Sequence, residues 1–324
     1  MKALLCKQYG SPESLVLDDV PTPSISNKQV LISIKACGVN FPDTLIIQGK
    51  YQFKPAFPFS PGGELAGIVK ALGEEVSHLK IGDSVFAMPG WGGFAEETAV
   101  DANRVFRMPA GMDYTVAASF MYTYGTSYHA LKNRAQLQAG ETLLVLGAAG
   151  GVGLAAVNLG KIMGAKVIAA ASSDEKLALC KAYGADECIN YQTQDLREAL
   201  KNLPESSGVD VVYDPVGGAF TEPALRSLNW KGRHLVVGFA AGPIPSIALN
   251  LALLKGCSIM GVFWGAFVEK EPKANFQNIQ ELFDFYQRGI LKPHIQKTYA
   301  LSEASQALYD LTQRRAMGKL VIVP

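Results

Sequence analysis

The segment Leu143–Gly153, LLVLGAAGGVG, constrains this chain more than any other. An apolar, β-like run stops abruptly in a cluster of glycines, and a helical pattern, Leu154–Met163, follows at once. A strand, a glycine turn and a helix in that order form a place where a dinucleotide pyrophosphate binds. The helix N-terminus offers unpaired N–H groups and the positive end of its dipole. Glycine removes the side chains that would hold the phosphates off. The fingerprint G-x-G-x-x-G is met as Ala148-x-Gly150-x-x-Gly153, with Gly147 and Gly151 beside it, so its first glycine is missing. A glycine-rich turn without a ligand is the competing reading, and context decides between them.

That context is α/β. Ala165–Ala171 reads as a second strand after Gly164, which suits a helix C-cap. Val209–Tyr213 and His234–Gly238 read as further buried strands, with helical stretches such as Glu175–Tyr183 and Phe220–Leu228 between them. The alternation predicts a doubly wound parallel sheet covered on both faces.

The second strand runs into ASSDEK, positions 171–176. An NAD-binding unit places an acid near this strand end to take the ribose 2′-OH. Ser172 and Ser173 stand there instead, and Asp174 comes slightly late. Ser172-x-x-Glu175 reads as a capping box, with Asp174 in the first helical turn. Lys176 could reach a 2′-phosphate from that turn, although taken alone it reads as a solvated lysine. Neutral serines beside a cation suit NADP rather than NAD.

A length of 324 residues suggests about two domains and a large core. A net charge of +1 with no cluster of basic residues gives no pull toward nucleic acid or membranes. The apolar run in MKALLCKQYG is too short for a signal peptide. Leu235–Leu254 is uncharged and long enough to span a bilayer, but Gly238, Gly242, Pro243, Pro245 and Asn250 break it into strand, loop and helix. Five cysteines without C-x-x-C spacing read as small buried hydrophobes in a reducing, cytoplasmic setting. Before residue 122 the texture is β-rich, with short runs at Val30–Ala36, Leu65–Ala71, Ser84–Phe86 and Glu96–Val100. Toward the end come a helical pattern over Phe276–Arg288, a run at Lys297–Ala300, a helix begun by Ser302 and a closing strand, Lys319–Val323.

The chain resembles, over essentially its full length, a zinc-independent medium-chain dehydrogenase/reductase of the quinone oxidoreductase, ζ-crystallin-like branch. The anchors are CGVNFPD (37–43), PGGELAG (61–67), GDSVF (82–86), YGTSY (124–128), GETLLVLGAAGGVG (140–153), INY (189–191) and GKLVI (318–322). Asn158 departs from the glutamine usual in this branch. The resemblance implies a GroES-like, β-rich catalytic domain, residues 1–122 plus 290–324. A Rossmann domain, residues 123–289, would be inserted into it, with the active site in the cleft between them. It also implies a homodimer or homotetramer, often with the last Rossmann strand, around Ser258–Phe263, pairing across subunits.

Aligned by motif, Asn40 replaces the cysteine and Gly63 the histidine that hold catalytic zinc in alcohol dehydrogenases. Glu64 remains, and one carboxylate is not a zinc site. The four-cysteine structural lobe is absent, and the four histidines share no ligand spacing. No metal is expected. Without a Lewis acid, alcohol oxidation loses its usual alkoxide stabilisation, so the expectation moves to NADPH-dependent reduction of a quinone or a conjugated enone. An enoyl-thioester reductase and a mainly non-catalytic NADPH-binding protein are the alternatives.

The family match supplies the site candidates. Asn40, Tyr51 and Asp43 are the catalytic set. Asn40 would contact the nicotinamide ribose or the substrate edge, or else stabilise its own loop as a turn residue. Asp43 reads as orienting that loop rather than donating a proton. Tyr51 and Thr126 would line the nicotinamide end, although Tyr51 could simply pack. Gly150, Gly151 and Val152 would hold the pyrophosphate. Ser172, Lys176 and Tyr191 would surround the 2′-phosphate. Phe239, Phe263 and Lys319 match further cofactor-contacting positions. Phe263, Trp264 and Phe267 could wall an apolar pocket or form a dimer edge.

Overall fold

Two units divide the chain in the computed structural model, which describes residues 1–202 and 208–324. One unit joins Met1–Tyr122 to Pro293–Pro324, and the other is Thr123–Lys292.

The first unit is built on a seven-stranded sheet. Its order is Ile295–Ala300, Lys319–Val323, Gln29–Val39, Glu64–Leu72, Ser84–Ala87 and Val105–Arg107, with Glu97–Asp101 pairing on Gln29–Val39. The Lys319–Val323 strand runs antiparallel to Gln29–Val39, with Leu320 opposite Val39, so the chain end returns to the sheet that its beginning built. Val30, Ile32, Leu65, Val85, Phe94, Leu320 and Ile322 lie together in its core.

The second unit carries a six-stranded parallel sheet in the order Glu187–Asn190, Lys166–Ala171, Thr142–Leu146, Val209–Asp214, Leu228–Val236, Ser258–Gly261. In chain sequence that is 3-2-1-4-5-6, the doubly wound order of dinucleotide-binding sheets. Thr142–Leu146 is buried throughout, as a central strand covered on both faces must be. The helix after it, Gly151–Ile162, lies close on the sheet because its inner face is small. A Cβ on Gly160 would come within 2.6 Å of Leu143 Cδ2.

Several element boundaries differ from the sequence reading, some for identifiable reasons. The fifth strand begins at Leu228 rather than His234. Its pairing shifts between Val209–Leu228 and Val211–Arg233, and Lys231 takes a φ of 63° there, so a polar bulge hides the early part of the strand. The helix after the second strand is capped by Ser173, whose hydroxyl accepts from the Lys176 N–H at 3.3 Å. The Ser172 capping box is therefore corrected by one residue, and Asp174 is the first residue of that helix. Near the chain end, a short 3₁₀ turn at Leu301–Glu303 precedes the helix Ala304–Thr312. Among the described residues, no helix is long and apolar enough to cross a membrane.

Candidate functional site

In a parallel sheet all strand carboxyl ends lie along one edge, where open α/β sheets bind their ligands. The residues picked from the sequence follow those ends one strand at a time. Gly150, Gly151 and Val152 follow the first strand, Ser172 and Lys176 the second, Tyr191 the third, Phe239 the fifth and Phe263 the sixth.

The glycine turn divides the labour among its glycines. Gly147 has a φ of 58°, so the left-handed turn falls one residue before the fingerprint's first glycine and Ala148 is accommodated. A Cβ on Gly153 would sit 2.3 Å from the Gly147 carbonyl oxygen, so that glycine serves the packing of helix against turn. Gly150 is different. It is the N-cap of the helix, and its Cβ would meet only the Gly147 oxygen at 3.4 Å, an ordinary contact. The fold does not require glycine there, and the space beside the helix N-terminus suits a phosphate. The start of the helix is pinned by Ser127, whose hydroxyl donates to the Val152 carbonyl at 2.9 Å and lies 2.9 Å from the Tyr213 hydroxyl. Thr126, next to it, opens the short helix Thr126–Tyr128.

At the second strand end, Lys176 Nζ donates to the Ser172 hydroxyl at 3.1 Å, so these two candidates meet. The Tyr191 N–H donates to the Ala171 carbonyl at 3.1 Å, which ties the third strand end to the same corner. The Tyr191 ring packs on Phe220 at 4.6 Å.

Asp214, which the sequence reading did not single out, ends the fourth strand buried. Its carboxylate accepts from the Val216 N–H at 2.9 Å, the Gly217 N–H at 2.7 Å and the Thr221 hydroxyl at 2.7 Å, and faces His234 Nε2 at 3.1 Å. These bonds outweigh burial and hold it below the usual carboxylate range. It fixes the loop beside the glycine turn: a Cβ on Gly147 would touch Val216 at 2.8 Å, and one on Gly217 would touch Phe239 at 2.9 Å. The signal in the sequence is an acid closing the strand Val209–Asp214 before Pro-Val-Gly-Gly. The three aromatic candidates separate. Trp264 and Phe267 are buried, with Phe267 stacked 3.9 Å from the His129 ring, while Phe263 is half exposed.

The first unit holds the remaining candidates. Asn40 caps the short helix Phe41–Ile46, and Asp43 reaches back to accept its N–H at 2.7 Å. Asp43 also accepts from the Gly62 N–H at 3.1 Å. Burial pushes its carboxyl up to about 6 against those donors and the Lys319 charge. The Asn40 amide donates to Glu64 Oε2 at 3.1 Å and to the Gly38 carbonyl at 3.3 Å, and its oxygen accepts from Lys319 Nζ at 2.7 Å. Both amide protons are therefore engaged, and the oxygen keeps one lone pair. Lys319 also donates to the Val39 carbonyl at 3.1 Å and to Glu64 at 3.4 Å, so its ammonium is turned into the unit. Glu64 is fully buried and further accepts from the Tyr122 N–H at 2.9 Å. Burial raises its carboxyl, with Lys319 opposing. Tyr51 is partly buried against the core, edge-on to Phe53 at 5.8 Å. Burial and the Asp43 charge raise its phenol, which keeps its proton at neutral pH.

Zinc does not fit this unit. A Cβ on Gly63, where a zinc enzyme has its histidine, would lie 2.9 Å from the Gly90 carbonyl oxygen and from the Tyr122 hydroxyl. Among the described residues, no three His, Cys, Asp or Glu side chains are grouped to hold a metal.

Residues 26–110 match the alcohol dehydrogenase GroES-like domain, and residues 151–284 match the zinc-binding dehydrogenase family. Quinone oxidoreductase-like protein 2 of Bos taurus is 40% identical over 322 residues, 99% of this chain and 92% of that protein. The chain belongs to the medium-chain dehydrogenase/reductase family, in its zinc-independent quinone oxidoreductase branch. The quinone oxidoreductase of Rattus norvegicus is 34% identical, covering 100% of this chain and 98% of that one. The Escherichia coli quinone oxidoreductase, solved in complex with NADPH, superposes with a TM-score of 0.94 at 29% identity over 100% of both chains. Membership in this branch agrees with the missing zinc ligands, although one matching family is described as zinc-binding.

Proposed function

We propose that this protein reduces quinones or α,β-unsaturated carbonyl compounds with NADPH, without a metal. The full-length likeness to a quinone oxidoreductase solved with NADPH supports this reading most. The open space at Gly150 fits the pyrophosphate, with Gly151 and the pinned Val152 beside it. Ser172, Lys176 and Tyr191 take the 2′-phosphate, and Thr126, Phe239 and Phe263 take the rest of the cofactor.

Bound NADPH supplies the hydride, which adds to an electrophilic carbon of the acceptor. Negative charge then appears on the acceptor oxygen, and preorganised donors lower the barrier there. Tyr51, with its proton retained, is the proposed donor to that oxygen, and water supplies the proton that completes the reduction. The remaining lone pair of the Asn40 oxygen accepts from a hydroxyl of ligand or acceptor, because its amide protons are spent. Asp43 and Lys319 act through Asn40, the first on its backbone and the second on its side chain. Orientation of this kind enters at the transition state.

The working form is proposed to be a cytoplasmic homodimer. Ser258–Gly261 is an edge strand of its sheet, and Trp230, Leu253 and Leu254 of the same unit are each more than 70% exposed. A screen of quinones, small enones and enoyl-CoA esters, read by NADPH absorbance, tests the activity. Turnover of quinones or enones is expected. Turnover of thioesters alone would move the assignment to an enoyl-thioester reductase.

A further inference from the structure

Asp174 is the acid nearest the end of the second strand, where a carboxylate would read a ribose 2′-OH and repel a 2′-phosphate. Its carboxylate is already engaged. Asn190, at the carboxyl end of the third strand and paired in register with Ala171, donates from Nδ2 to Asp174 Oδ1 at 2.8 Å.

The direction of that amide is fixed from the other side. Asn190 Oδ1 accepts from the Gln192 N–H at 3.1 Å, which leaves the NH₂ group facing Asp174. The backbone of Asn190 is held as well: its N–H donates to the Gln194 side chain at 3.1 Å, and its carbonyl accepts from the Thr193 and Gln194 N–H groups. Tyr191, beside it, bonds the Ala171 carbonyl at 3.1 Å. The corner therefore holds a tethered acid beside a Ser172–Lys176 pair 3.1 Å apart.

We propose that Asn190 is a specificity-determining residue. By tethering Asp174 at the end of the third strand, it keeps that carboxylate off the ribose 2′ position and leaves Ser172 and Lys176 to take a 2′-phosphate. The proposal rests on the reading that these two residues form the 2′-phosphate site.

The test is titration of the purified protein with NADPH and with NADH, followed by ligand fluorescence. Asn190→Ala should weaken NADPH roughly threefold to tenfold, with NADH unchanged or tighter. Asn190→Asp keeps an acceptor for the Gln192 N–H, so the turn stands, and sets a like charge against Asp174; its NADPH/NADH ratio should fall further. Asp174→Ala should raise the ratio, and Asn190→Ala should then have no effect on it in the Asp174→Ala background. Equal losses for both cofactors, or an undiminished effect without Asp174, would overturn the role of Asn190. Lys176→Ala separates the layers: it should cost NADPH about tenfold and spare NADH. An unchanged ratio in that variant would overturn the underlying 2′-phosphate reading and the proposal with it.

Discussion

Lys319 and Glu64 stand 255 positions apart in the chain, yet their charged atoms lie 3.4 Å apart in one buried cluster. The closing strand brings the lysine in and the Glu64–Leu72 strand brings the carboxylate, and Asn40 bridges them. The pair fixes the amide proposed to orient the ligands, at the cost of desolvating two charges.

Removing one partner should therefore be expensive. Lys319→Met leaves a buried carboxylate uncompensated, and urea unfolding should show a loss of about 3–5 kcal/mol. Adding Glu64→Gln to that variant should recover part of the loss. Full stability in Lys319→Met alone would mean that the charges do not support each other.

The glycines of the turn should part company under mutation. Gly150→Val should leave a folded protein, judged by circular dichroism, while NADPH affinity falls at least tenfold, roughly 1.4 kcal/mol or more. Gly153→Ala should instead lower the melting temperature, since its Cβ would lie 2.3 Å from a backbone oxygen. Native affinity in a folded Gly150→Val would place the pyrophosphate elsewhere.

Asp43 gives a pH signature of known sign. Burial holds its folded carboxyl at about 6, above the ordinary 3.8. Between those values the folded chain binds more protons than the unfolded chain. Its stabilising contribution is thus complete below about pH 4 and lost as pH rises through about 6, at most about 3 kcal/mol. Unfolding free energies of wild type and Asp43→Asn, compared across that window, should shift in favour of the variant as pH rises. A constant difference would contradict the raised carboxyl.

Much of this fold is legible in the sequence. Leu143–Gly153 announces strand, turn and helix because apolar periodicity and glycine are local signals, and the alternation points to a parallel sheet, whereas the order of its strands is set by long-range pairing. The Ser173 cap was missed by one residue because two adjacent serines satisfy the same local rule. The bulge at Lys231 hides most of the fifth strand, since its polar residues and a glycine carry no strand pattern. The Lys319–Glu64 pair left no trace in the sequence, because nothing local ties a C-terminal lysine to an acid in the first third of the chain. Asp214 was visible as a strand-end acid, but its grip on the Val216–Thr221 loop depends on the fold.

The proposed reaction is hydride transfer from NADPH to a carbon acceptor. The most direct measurement uses NADPH deuterated stereospecifically at the nicotinamide C4 with a small enone, and reads the product by mass spectrometry and NMR. Deuterium should appear at the β-carbon, with the α-proton drawn from solvent and the rate unchanged by a zinc chelator. Product carrying no deuterium from either the 4R- or the 4S-labelled cofactor, or activity lost to the chelator and restored by zinc, would contradict it.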